Sequence, residues 1–130
     1  MIKIPEDIKL SNNFYLREFA SNDGAFFPTE VIENLEFLVI NYLQPLRNII
    51  GSISINSGYR SFSWNKHPSV KGHPKSYHLK GMAADIRWHN KEWSLDEVAK
   101  ICKGLGLKVI VYSWGIHINY GQQATIIDER

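Results

Sequence analysis

The chain has 130 residues, of which 44% are hydrophobic and 22% charged, an ordinary balance for one domain, 1–130, with a core of its own. The formal net charge of +2 and the lack of a basic helix argue against a nucleic-acid partner. One cysteine, Cys102, excludes an intrachain disulfide, and no apolar run reaches the length of a membrane span. The first residues, Met1 to Asp7, lack the apolar stretch of a signal peptide, so the expected product is a cytoplasmically made soluble monomer.

Residues 1–13 read as an irregular lead-in with Pro5 and Asn12-Asn13, and Phe14 to Phe19 as a short amphipathic turn broken at 21–24. Thr29 is the expected N-cap of the longest helix, with Glu30 and Glu33 near the positive end of its dipole. Apolar residues at Ile32, Leu35, Leu38, Val39, Tyr42, Leu43 and Leu46 keep helical spacing, Pro45 is a point of interruption, and Gly51 is the expected C-cap. Residues 52–57 alternate as a strand. Gly58 to Ser61 form a turn expected to expose Tyr59 and Arg60. A short helix and a long loop fill 62–75, and a loop of that length in a small domain points to function. Lys66, Lys71, Lys75 and Lys80 cluster there and read as a solvated face, as do His67 and His73.

Met82 to Trp88 reads as the next strand, and residues 89–93 as a polar link. Ser94 and Glu97 make a capping box at the start of a second helix, whose inward face is Leu95, Val98, Ala99, Ile101 and Cys102 and which ends at Gly104 and Gly106. Cys102 is expected as a buried small hydrophobe. Lys108–Tyr112 and 116–120 form an antiparallel hairpin across a tight turn, and residues 124–127 add a last strand. The order predicts an α+β fold, a small mainly antiparallel sheet with helices packed on one face.

His78 and Asp85 lie seven positions apart, with small residues between them, and His117 stands in the later strand. Two imidazoles and a carboxylate suit Zn²⁺ with one position left for water. Period 2 sharpens the expectation. Ala83, Asp85 and Arg87 share one strand face, and His117 and Asn119 share another, with Ile86, Ile116 and Ile118 opposite. If the two strands are neighbours, Asp85 and His117 project side by side.

Ser76-x-His78-x-x-Gly81-x-Ala83-x-Asp85, preceded by Ser57-Gly-Tyr-Arg-Ser61 and followed by an isolated strand histidine, resembles the zinc D-Ala-D-Ala carboxypeptidases. These share a superfamily with lysostaphin-type peptidases and the hedgehog domain. The resemblance runs from the Phe14–Phe19 segment to the His117 strand. It implies a hedgehog/DD-peptidase-like fold and zinc held by His78, Asp85 and His117. It also implies substrate polarisation by Arg60, and support of the substrate or the site by Ser76. The implied reaction is metal-dependent cleavage of peptidoglycan stem peptides, as carboxypeptidase or endopeptidase. Many compact members without a signal peptide are phage or prophage lysis or virion proteins, which implies delivery to the bacterial wall by lysis or in a particle. Tyr77, Trp114 and Asn119 flank the ligands and are candidate substrate contacts.

The chain departs from that pattern where a general base is usual. Trp114 stands where relatives often have Glu or Asp, Gly115 where others have His, and Asn119 where a subgroup has Asp. Candidate replacements are His89, Glu92, Asp128 and Glu129. The departure leaves open a second reading, a catalytically degenerate module that binds zinc or wall peptide in a phage particle.

Overall fold

The computed structural model describes residues 8–130. Strands β1 (Lys9–Ser11) and β2 (Phe14–Tyr15) pair antiparallel and lead into a 3-10 turn, Leu16–Phe19. Part of the expected irregular lead-in is therefore a strand, and it pairs with the start of the segment expected as a turn. The remainder of that reading, with Pro5 and the expectation about a signal peptide, lies outside the described residues. Gln44 ties the pair to the helices: Ser11 Oγ–H and Asn13 N–H donate to its Oε1 at 2.6 and 3.1 Å.

Helix α1 (Thr29–Leu38) starts at the residue expected as its cap, so the cap position falls one residue earlier, on Pro28, which has no side-chain cap. A π-helical stretch, Val39–Leu43, then joins it to α2 (Gln44–Ile50). Pro45 explains the widening: it has no N–H to give, and its ring would strike the carbonyl of residue 41 in a regular α turn. Gly51, at φ 86°, closes the element with its N–H donating to Arg47 O, as expected.

Strand β3 (Ile53–Ser57) is followed by the turn at 58–61. Tyr59, expected on the surface, is instead 8% exposed and packs on Phe27 with ring centroids 5.6 Å apart. After α3 (Phe62–Lys66) and a loop, a second 3-10 turn, Tyr77–Lys80, delivers the chain to β4 (Ala83–Trp88). Helix α4 (Leu95–Gly104) carries the capping box read from Ser94 and Glu97. Strands β5 (Lys108–Tyr112) and β6 (Gly115–Asn119) form the hairpin, and β7 (Ile126–Asp128) ends the sheet.

The sheet order is β3-β4-β6-β5-β7. Its pairings are antiparallel except the last, because β7 runs parallel to β5. The fold is thus α+β with a mixed five-stranded sheet beside the small two-stranded one. One face presents Ala84, Ile86, Val109, Val111, Ile116 and Ile118, all at most 1% exposed, to a core with Leu35, Leu38, Leu43 and Leu46. Burial of this apolar surface fixes the register, since a slip by one residue would turn Ile86, Ile116 and Ile118 outward. The opposite face is left for polar groups. No helix among the described residues is long and apolar enough to cross a membrane.

Candidate metal centre and cleft

The register places Asp85 directly opposite His117 and Ala84 opposite Ile118. Asp85 and His117 therefore stand side by side on the polar face, as the alternation predicts. His78 arrives from the 3-10 turn. Ser76 Oγ accepts the His78 N–H at 3.2 Å and caps that turn, and Gly81, at φ 74°, ends it. Any Cβ at Gly81 would lie 2.8 Å from the Val31 carbonyl oxygen, so only glycine allows the turn to sit this close to α1.

His78 Nε2 is 3.1 Å and His117 Nδ1 2.9 Å from the same oxygen, Asp85 Oδ1. The far nitrogens settle the tautomers. His78 Nδ1 is 2.7 Å from the Gly58 carbonyl oxygen, which can only accept, so that nitrogen carries its hydrogen. His117 Nε2 is 2.9 Å from Asn119 Oδ1, while the Asn119 amide N–H groups donate to Tyr120 O and Gln122 Oε1. His117 Nε2 therefore donates too. In the neutral rings both remaining nitrogens offer lone pairs toward a carboxylate oxygen. Three acceptors converging on one point call for a cation, either protons on the rings or one shared metal ion. The ligand atoms lie within 4.8 Å of one another, and the set of two nitrogens and one carboxylate oxygen fits zinc. The backing of each imidazole by a carbonyl or amide oxygen is what metal-binding histidines require for orientation.

Asp85's other oxygen is engaged by Arg60, whose Nη2 lies 3.3 Å from Oδ2. Arg60 also donates from Nε to Ser57 Oγ at 3.2 Å and from Nη1 to Asn65 Oδ1 at 3.4 Å. Asn65, 1% exposed, in turn donates to the His73 carbonyl and so fixes the loop after α3. Burial pushes the Asp85 carboxyl upward. Hydrogen bonds from His117 and His78, with their charges, outweigh this and hold it well below the usual carboxylate range.

The centre opens into a cleft of about 980 Å³. Its walls include the residues expected to contact substrate or polarise it, Arg60, Ser76, Tyr77, Trp114 and Asn119, besides His78, Asp85 and His117. Asn119 is 2% exposed and backs His117. Trp114 is 38% exposed and stacks on Tyr112, centroids 5.3 Å apart and planes 7° apart. Of the candidate bases, none lines the cleft: His89 bonds to Ser54 Oγ at 2.8 Å, Asp128 pairs with Arg130, and Glu92 and Glu129 lie elsewhere. Among the described lining residues Asp85 is the one carboxylate.

Sequence reasoning missed the β5 side of the cleft, Lys108, Ile110 and Tyr112, and also Gln122 and His73. The hairpin held the signal. A two-residue turn, Ser113-Trp114, sets Tyr112 opposite Gly115 and hence Ile110 opposite His117 and Lys108 opposite Asn119, all on the site face.

A family profile described as Peptidase M15 matches residues 10–119. A search of curated proteins finds no match to the chain.

Proposed function

The chain belongs to the peptidase M15 family, the zinc D-Ala-D-Ala carboxypeptidase-like peptidases, and from that premise we propose that it is a zinc peptidase acting on bacterial peptidoglycan stem peptides. The observation that carries the reading is the convergence of His78 Nε2 and His117 Nδ1 on Asp85 Oδ1 inside an open cleft. The family's hedgehog/DD-peptidase-like fold and a single domain over 1–130 are part of the same proposal, as is action at the bacterial wall after delivery by lysis or in a virion.

Zinc bound by His78, Asp85 and His117 would supply a Lewis acid and an acidified water. The chain's residues do the rest. Gly58 O and Asn119 Oδ1 hold the two rings in metal-ready tautomers. Arg60 anchors Asp85, and with three of the guanidinium's five N–H groups engaged it keeps two for a substrate carboxylate or a developing oxyanion. Ser76 holds the turn that presents His78. Tyr77 and Trp114 wall the cleft as substrate contacts. Tyr112 supplies a phenolic hydrogen where no carboxylate stands.

That missing carboxylate also favours the second reading, a binding module that holds metal and wall peptide without cutting. The two separate in one experiment. Purified protein with one equivalent of zinc is incubated with synthetic stem pentapeptides ending in D-Ala-D-Ala, and released D-Ala and new amine are measured. Metal-dependent release that disappears in His117→Ala, together with its zinc, is the expected result. Stoichiometric zinc with no cleavage of any peptide establishes the binding module. Full zinc and full hydrolysis in His117→Ala overturn the ligand assignment.

A further inference from the structure

The charges around the cleft are segregated. The chain as a whole carries only +2, yet the cleft walls hold Arg60, Lys75, Lys80 and Lys108 against one carboxylate, Asp85. Asp85 is already matched by Arg60 and flanked by two imidazoles. Among the described residues no carboxylate pairs with Lys75, Lys80 or Lys108.

Lys108 is the informative member. It is half-buried, whereas Lys75 and Lys80 are exposed. It stands opposite Asn119 on the site face, one rung along from the Ile110–His117 pair. Two residues of strand cover about 7 Å, so its stem begins within reach of a chain lying over the metal ligands. Strand order sets its side. Arg60 follows β3 and grips Asp85 on β4, while Lys108 lies beyond β6 on β5. The two cations therefore lie on opposite sides of the ligand group. A half-buried ammonium without a partner costs free energy that an incoming anion recovers.

We propose that the cleft selects peptides carrying a second carboxylate, on the acyl side of the scissile bond and about two or three residues from it, received by Lys108 with Lys75 and Lys80 on the loop wall. The spacing follows from about 3.3 Å per extended residue set against about 7 Å along the strand and about 4.8 Å across from β6 to β5. This inference rests on the peptidase reading only for its direction: Arg60 takes the carboxyl end, so Lys108 faces the other. A substrate with an amide at that position leaves Lys108 unmatched, and the cleft discriminates against it.

The test uses the intact zinc-loaded protein and two pentapeptides, Ala-γ-D-Glu-Lys-D-Ala-D-Ala with the α-carboxylate of D-Glu free, and the same peptide with that group amidated. Calorimetry gives Kd, and D-Ala release gives kcat/KM. The free-acid peptide is expected to bind about five- to tenfold more tightly. The preference should shrink as salt rises from 50 to 500 mM, values chosen to shorten the screening length. In Lys108→Met, which keeps the stem, the ratio between the two peptides should fall toward one. Equal binding of the two peptides by the unaltered protein overturns the inference, and so does a ratio that survives Lys108→Met. If both peptides are cut equally well, the peptidase reading stands and this inference falls. If the free acid binds more tightly and neither is cut, the inference stands and the catalytic reading falls.

Discussion

Tyr112 is the residue on which the chemistry of the cleft turns. It shares the site face through the hairpin register, and its stacking on Trp114 holds the ring flat. Burial first, and the nearby charge of Asp85 next, push its phenol above the ordinary value. At neutral pH it is therefore a hydrogen-bond donor, suited to a developing oxyanion or a leaving amine and unsuited to act as a base. Tyr112→Phe keeps the ring and removes the donor. Hydrolysis should fall in kcat by roughly 10²-fold, with zinc content unchanged and KM little moved, since a preorganised donor acts mainly in the transition state. An unchanged kcat in stem-peptide assays would remove the hydroxyl from the mechanism. The three clustered acceptors were legible in the sequence because alternation gives Asp85 and His117 a common face once their strands are neighbours, and the motif joining His78 to Asp85 supplies the third. Tyr112 was equally determined by the two-residue turn, but reading it needs the pairing register as well as the alternation. Alternation put Asn119 on the His117 face, but how the oxygens behind the imidazoles are aimed was out of reach. Gly58 O meets His78 across 20 residues, and the Asn119 amide is aimed by Gln122, neither of which leaves a local pattern.

At the scale of elements, the site depends on how the turn Tyr77–Lys80 is clamped between β4 and α1. Gly81 makes this possible. Its φ of 74° costs a residue with a side chain about 1–2 kcal/mol, and an added Cβ would press on the Val31 carbonyl oxygen and on Val31 Cγ1 at 2.9 Å. Both atoms belong to the packed face of α1 and have little room to yield. Gly81→Ala should therefore lower unfolding free energy by about 2–3 kcal/mol and weaken zinc binding, because the turn that yields is the one carrying His78. Urea unfolding and a chelator competition measure the two losses. A stable variant with native zinc affinity would show that the turn tolerates displacement. The elements themselves were readable where their signals are local. The capping box at Ser94, the Gly51 terminus and the β5–β6 hairpin all rest on short-range chemistry. The π-helical stretch, the β1–β2 pair and the parallel pairing of β7 were not, since each is settled by a partner far along the chain or by how a proline is absorbed. Tyr59 failed for the same reason: its turn sequence is polar, and only Phe27 explains its burial.

The molecule as a whole gathers its three acceptors from a turn and two strands at positions 78, 85 and 117, so the unfolded chain has no such site. Zinc that binds only the folded state stabilises it by about 4 kcal/mol at a free concentration 1,000 times Kd, on the order of 10 °C in Tm for a chain of this size. The pH dependence follows from which partner protonates first. Asp85 is held well below the usual carboxylate range, so it remains an anion through mildly acid solution. Both imidazoles must be free of the metal-facing proton to bind the ion, so acid competes with zinc for the same nitrogens. The zinc increment should then shrink as the solution is acidified. Without metal the ordering differs. A carboxyl whose folded pKa is depressed contributes stability above its unfolded value, 3.8, and loses it as pH falls further. Tm curves recorded with zinc and with chelator should consequently lie apart at neutral pH, draw together on acidification, and fall together below about pH 4. In His117→Ala the gap at neutral pH should close. A gap that does not narrow in acid, or that survives loss of His117, would mean that the stabilising ion is held somewhere other than at His78, Asp85 and His117.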